Sequence, residues 1–133
     1  MSQKHLIVVD DEPEIGQMVK NLATELGFSV ATAVTAEQAV QLCQASPPDI
    51  ILMDMVMPET DGIELLHSLS AIAIKAKIIL MSGYDKSYLS MGESLGMAKG
   101  LNITGTLRKP FRLQDVCDQL ENALGSGVSL QAS

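Results

Sequence analysis

The chain has 133 residues, 47% hydrophobic and 19% charged, enough for a real core in one domain and too apolar for wholesale disorder. Its 16 acidic residues against 9 Lys and Arg leave a formal net charge of -7, which argues against nucleic-acid binding by this domain, since phosphate backbones need a positive footprint. Apolar runs are too short to span a bilayer, no signal peptide precedes the first strand pattern, and Cys43 and Cys117 read as buried free thiols, so a cytoplasmic protein without a membrane partner is expected.

His5-Leu6-Ile7-Val8-Val9 is a short continuous apolar run, the pattern of a strand buried on both faces, and it ends in Asp10-Asp11-Glu12. Pro13 suits the first turn of a helix, and Ile15, Met18, Val19, Leu22, Ala23 and Leu26 follow at helical spacing until Gly27 stops it. Gly16, Gln17 and Lys20 fall on the face expected to be exposed and to help choose a partner. Phe28 to Ala33 predicts a short strand, and Thr35 with Gln38 predicts a capping box for a helix carrying Ala39, Val40 and Cys43. Ser46-Pro47-Pro48 ends that helix. Ile50-Ile51-Leu52-Met53-Asp54 is a second buried-strand run closed by a carboxylate, and Asp61 with Glu64 has the spacing of another capped start, with Ile63, Leu66 and Leu69 inward.

Lys77 to Met81 runs into Ser82-Gly83. A helix from about Lys86 to Lys99 carries Tyr88, Leu89, Leu95 and Ala98, although Gly92 and Gly96 each cost about 1 kcal/mol against alanine. Ile103 to Leu107 predicts the last strand, followed by Lys109-Pro110, a rigid turn suited to a cis bond. Leu113, Val116, Cys117, Leu120 and Leu124 form the last amphipathic stripe. Five strands alternating with five helices predict an α/β fold with a parallel sheet covered on both faces. Residues 1–124 read as one domain and 125–133 as a polar tail or linker.

In open α/β sheets ligands bind outside the carboxyl ends of the strands. Four strand patterns end there in Asp10-Asp11, Asp54, Ser82 and Lys109, a set suited to a divalent metal and a phosphoryl group. Blander readings exist for each part: Asp10-Asp11-Glu12 as a solvated helix start, Asp54 as a turn cap, Lys109-Pro110 as an ordinary loop. Asp61-Gly62 reads as turn chemistry, His5 and His67 as surface or strand-edge residues, and Met53, Met55 and Met57 as core filling.

Taken in order, Val8-Val9-Asp10-Asp11, Asp54 to Gly62, Ser82-Gly83 and Lys109-Pro110-Phe111 resemble the receiver domain of bacterial two-component response regulators, over about residues 4 to 124. The resemblance implies a flavodoxin-like (βα)5 fold with strand order 2-1-3-4-5. It implies that Asp54 accepts a phosphoryl group from a histidine kinase or histidine phosphotransfer protein, and that the domain is a switch rather than an enzyme. It also implies Mg²⁺ (or Mn²⁺) held by Asp11, Asp54 and the Val56 carbonyl, with Asp10 acting through water. Lys109, the Ser82 hydroxyl and the Gly83 amide would contact the phosphoryl group. Ser82, Tyr84 and Thr106 would form the switch; Thr106 stands where many receivers carry an aromatic residue.

Gly100 to Phe111 is similar to receivers joined to cyclic-di-GMP phosphodiesterase domains, which implies an output domain outside this chain. Homodimerisation through the fourth helix, last strand and last helix is a further expectation. Three rival functions share the architecture. A haloacid-dehalogenase-like phosphatase needs a carboxylate two residues after its nucleophile, where this chain has Val56; a flavin binder wants a hydroxyl- and glycine-rich loop where it has Asp10, Asp11 and Glu12. A degenerate docking module would lack the acceptor set that this chain retains.

Overall fold

The computed structural model of the chain describes residues 3–58, 61–83 and 86–125. Strand and helix alternate strictly: β1 (His5–Val9), α1 (Pro13–Glu25), β2 (Ser29–Ala33), α2 (Ala36–Ala45), β3 (Ile50–Asp54), α3 (Gly62–Ala71), β4 (Lys77–Ser82), α4 (Lys86–Ala98), β5 (Asn102–Arg108) and α5 (Leu113–Leu124). The strands form one parallel sheet in the order β2-β1-β3-β4-β5, the expected flavodoxin-like arrangement. Among the described residues no helix is long and apolar enough to cross a membrane.

The unbroken apolar runs exist because the inner strands are buried on both faces. Ile7, Val9, Ile51, Met53, Ile78 and Leu80 pack into one core with α2, α3 and α4. Leu6, Val8, Ile50, Leu52, Ile79 and Met81 pack into the other with α1 and α5. Strand side chains alternate between faces, so neighbouring residues must enter different cores.

β5 breaks this parity. Ile103 lies in the first core and Leu107 in the second, although they are four positions apart and a regular strand would put both on one face. The register explains it: Ile78 pairs with Ile103 but Ile79 pairs with Gly105, so Thr104 is an extra, bulged residue. The Asn122 amide donates to the Thr104 carbonyl at 2.8 Å and steadies the bulge from α5. The Thr104 hydroxyl and the Gln119 side-chain oxygen, which lies against Gly105, are buried without hydrogen-bond partners.

Caps follow the sequence with small changes. Thr35 and Asp61 accept from the amides of Gln38 and Glu64, as their spacing predicts. Gln38 returns its bond to the Val34 amide rather than to that of Thr35. Gly16 is buried against Thr32, so the exposed face of early α1 is left to Gln17 and Lys20. Leu113, expected in the last apolar stripe, is 47% exposed at the start of α5, and Ala98 is also exposed. On α4 the buried stripe is instead Leu89, Gly92 and Gly96. The helix uses glycine there because a side chain would collide: a β-carbon on Gly96 would lie 2.7 Å from the Ile103 side chain, and one on Gly92 2.6 Å from Met55.

Gly62 is tighter still. Its amide donates to the Met55 carbonyl at 2.7 Å, and an added β-carbon would meet the Met55 α-carbon at 2.6 Å. Backbone cannot yield as a flexible side chain can, so Gly62→Ala should destabilise by about 1–3 kcal/mol through overpacking. Urea unfolding checks this; a midpoint equal to that of the wild type would show that the β3–α3 junction has slack.

Candidate functional site

Sheet order places the chemistry. β1 and β3 are neighbours with Val9 opposite Met53, so Asp10, just past β1, and Asp54, the last residue of β3, emerge side by side. Asp54 stands opposite Met81, and Ser82 ends β4 one step further on. The Lys109 amide donates to the Ser82 carbonyl at 2.9 Å, which extends the β4–β5 ladder and delivers Lys109 to the same rim. The Lys109-Pro110 bond that follows is cis.

The ammonium of Lys109 lies 2.7 Å from Asp10 Oδ2 and 2.9 Å from Asp54 Oδ2. Glu12 Oε1 is 3.9 Å away. The aspartate side chains are 0% and 5% exposed and that of the lysine 15%, so solvent screens these contacts little. Each aspartate keeps its second oxygen for its own loop. Asp10 Oδ1 accepts from the Glu12 amide at 2.9 Å, and Asp54 Oδ1 from the Val56 amide at 3.0 Å. This repeated bond to the amide two residues on bends both chains away from the sheet and fixes both carboxylates toward Lys109.

Burial is the largest influence on Asp54. It pushes the carboxyl above its ordinary value and outweighs the downward pull of the Val56 amide and of Lys109, while Asp10 adds to the rise. Burial also disfavours the Lys109 charge, but hydrogen bonds to Asp10 and Asp54 overcome it and hold the ammonium above its usual range. An oxygen atom from each of Asp10, Asp11 and Asp54 lies within 4.8 Å of the others. An all-carboxylate donor set suits a hard cation such as Mg²⁺ or Mn²⁺ and lacks the nitrogen or sulfur ligands that favour zinc.

Ser82 is fully buried, Asp11 and Thr106 are half-buried, and Gly83 is exposed beside Lys109. Thr106 pairs with Leu80, which puts it on the α4 side of the sheet. Tyr84 and the segment 126–133 lie outside the described residues. Sequence reasoning missed that Asp10 holds Lys109 directly, and it missed the approach of Glu12; two carboxylates preceding Glu12 were the available signal. Cys43 and Cys117 are buried, and burial pushes the Cys43 thiol up to about 11, as befits an inert core residue. His5 contacts Ser29 across the β1–β2 pair, and His67 contacts Lys99 on the surface.

Because its folded value is raised, ionised Asp54 works against folding: the stability linked to its proton is present at low pH and lost as pH rises through that value. Asp54→Asn should therefore raise the melting temperature in metal-free buffer at neutral pH, by about 3–5 °C for each kcal/mol relieved. The difference should narrow as pH falls through the Asp54 value, because the protonated carboxyl then resembles the amide. Thermal melts at several pH values test this, and a lower melting point for the variant at neutral pH would contradict it.

This arrangement has close relatives. The family model for the response regulator receiver domain matches residues 6–121. The chain is 30% identical over 120 residues to the chemotaxis protein CheY of Bacillus subtilis, covering 90% of this chain and 96% of that one. Sporulation initiation phosphotransferase F of the same organism is 25% identical over 124 residues, covering 93% and 96%. A solved signal receiver domain of an HD domain-containing protein from Pseudomonas fluorescens Pf-5 superposes with a TM-score of 0.81 at 25% identity, covering 92% of this chain and 95% of that one. With a model match over most of its length and the five-stranded fold to go with it, the chain belongs to the receiver domain family of two-component response regulators.

Proposed function

We propose that this domain is a phosphorylation-dependent switch whose acceptor is Asp54. One observation carries the reading: Lys109 reaches 2.9 Å from Asp54 Oδ2 at a rim that also gathers Asp10 and Asp11. A carboxylate oxygen of Asp54 attacks the phosphorus of a partner's phosphohistidine. The new bond is O–P, the bond broken is N–P, and the imidazole nitrogen leaves with the electron pair and takes a proton. Burial raises the basicity of Asp54, which favours its action as nucleophile. The Lys109 ammonium would neutralise charge that builds on the phosphoryl oxygens, with the Ser82 hydroxyl and Gly83 amide as further donors.

Receiver domains in general bind Mg²⁺ at an acidic pocket, and the donors present here fit it. Asp11, Asp54 and the Val56 carbonyl would hold the ion, and Asp10 would hold one of its waters. Bound there, it would supply positive charge for an in-line displacement. Donor proteins are histidine kinases or histidine phosphotransfer proteins, as for receivers in general. We read residues 1–124 as the switch and 125–133 as tail or linker, with output through an attached domain or separate partner. A cyclic-di-GMP output rests on the Gly100–Phe111 resemblance alone. Exposed Met91 and Met97 on α4 and Leu113 on α5 support homodimerisation on that side.

Incubation with Mg²⁺ and acetyl phosphate should add the mass of one phosphoryl group, and Asp54→Asn should abolish the gain. Lys109→Met should slow phosphorylation by roughly 10²- to 10³-fold, the effect of losing one charge-stabilising donor. Intact-mass time courses measure both, and undiminished labelling of Asp54→Asn would place the acceptor elsewhere. Val56 offers no polar group to position an attacking water, so the phosphoryl group should outlast removal of the donor by minutes or more. Release within seconds from the isolated domain would refute that expectation.

A further inference from the structure

We propose that Met55 transmits the phosphorylation state of Asp54 to α4, with the Tyr88 hydroxyl as the sensing contact; the proposal rests on Asp54 being the acceptor. Met55 follows Asp54 directly and ties it to three elements at once. Its amide donates to the carbonyl of Met81, the residue before Ser82, at 2.8 Å. Its carbonyl accepts from the first residue of α3, Gly62, at 2.7 Å, and from the Tyr88 hydroxyl on α4 at 3.4 Å.

The side chain repeats the pattern. Met55 is 0% exposed, and its thioether end fills the space where β-carbons on Gly62 and Gly92 would lie, at 2.6 Å from each. Packed interiors do not absorb a backbone shift of this residue by compression. Any displacement of the chain after Asp54 must therefore move α4, α3 or both. The Tyr88 contact is slack, since hydroxyl–carbonyl hydrogen bonds are ordinarily 2.5–3.0 Å. A bond so long contributes little in the resting domain and has room to gain when the β3–α3 junction moves. Thr106 offers no aromatic ring on β5, whereas half-buried Tyr88 already packs against the core that contains Met55.

The chain has two tyrosines and no tryptophan, so in a Tyr84→Phe background Tyr88 is the sole strong emitter. Phosphorylation with acetyl phosphate and Mg²⁺ is followed by intact mass and tyrosine emission in the same sample. Tyr88 emission should change in proportion to the phosphorylated fraction. Gly92→Ala, which crowds Met55, should abolish that change while the mass gain persists; Met55→Leu serves the same purpose if Gly92→Ala fails to fold. Tyr88→Phe should lower the ratio of phosphorylated to free protein at fixed donor by roughly two- to tenfold, the worth of one hydrogen bond that tightens in one state. Full mass gain with flat Tyr88 emission, or an undiminished response in Gly92→Ala or Met55→Leu, would overturn this proposal alone. Absence of any mass gain would overturn the acceptor reading and this proposal with it.

Discussion

The structure turns on one ammonium held between two buried carboxylates. Lys109 closes the site only because β1, β3 and β5 all end at the same rim, and because Asp10 and Asp54 each spend one oxygen on the amide two residues ahead. Loss of the Lys109 ammonium would leave two buried carboxylates without their shared counter-charge, so this group restrains three chain segments as well as placing charge. Under the proposed function, the same group that steadies the resting domain would meet a phosphoryl group carried by Asp54. Because Lys109 is shared between Asp10 and Asp54, a change at Asp54 must redistribute its bonds.

Behind the rim, small residues let the layers approach. Gly62, Gly92 and Gly96 look like defects in helices when judged by propensity, yet each lies where a β-carbon would strike Met55 or Ile103. Close approach leaves Met55 wedged between the end of β3 and the helices α3 and α4. A junction so tightly filled next to Asp54 has no empty volume to take up a shift of the chain. The short path from Asp54 to α4 combines the packing of Met55 with the contact of the Tyr88 hydroxyl to its carbonyl.

Much of this was legible beforehand. Strand runs at His5–Val9 and Ile50–Asp54 are continuous because both faces are buried, and the acidic, hydroxyl and lysine residues follow strands that end at a common edge. The caps at Thr35 and Asp61 were equally readable, since their bonds are local. Errors fell where a residue's environment depends on another element. Gly16 faces Thr32 instead of solvent, Leu113 precedes the turn that buries its helix, and the buried line of α4 runs through glycines that carry no hydrophobic signal.

The amino-acid order by itself determined the alternation of strands and helices, their approximate ends and the kinds of side chain at each strand terminus, because periodicity and capping act over a few residues. Only the tertiary structure decided which atoms meet: that Asp10 binds Lys109 more closely than Asp54 does, and that Tyr88 reaches the carbonyl of Met55. It also decided that Thr104 bulges, so that Ile103 and Leu107 enter opposite cores. The physical reason is range. Register and close packing are set by contacts between segments tens of residues apart, and no local pattern within β5 distinguishes a strand that skips one residue from one that does not.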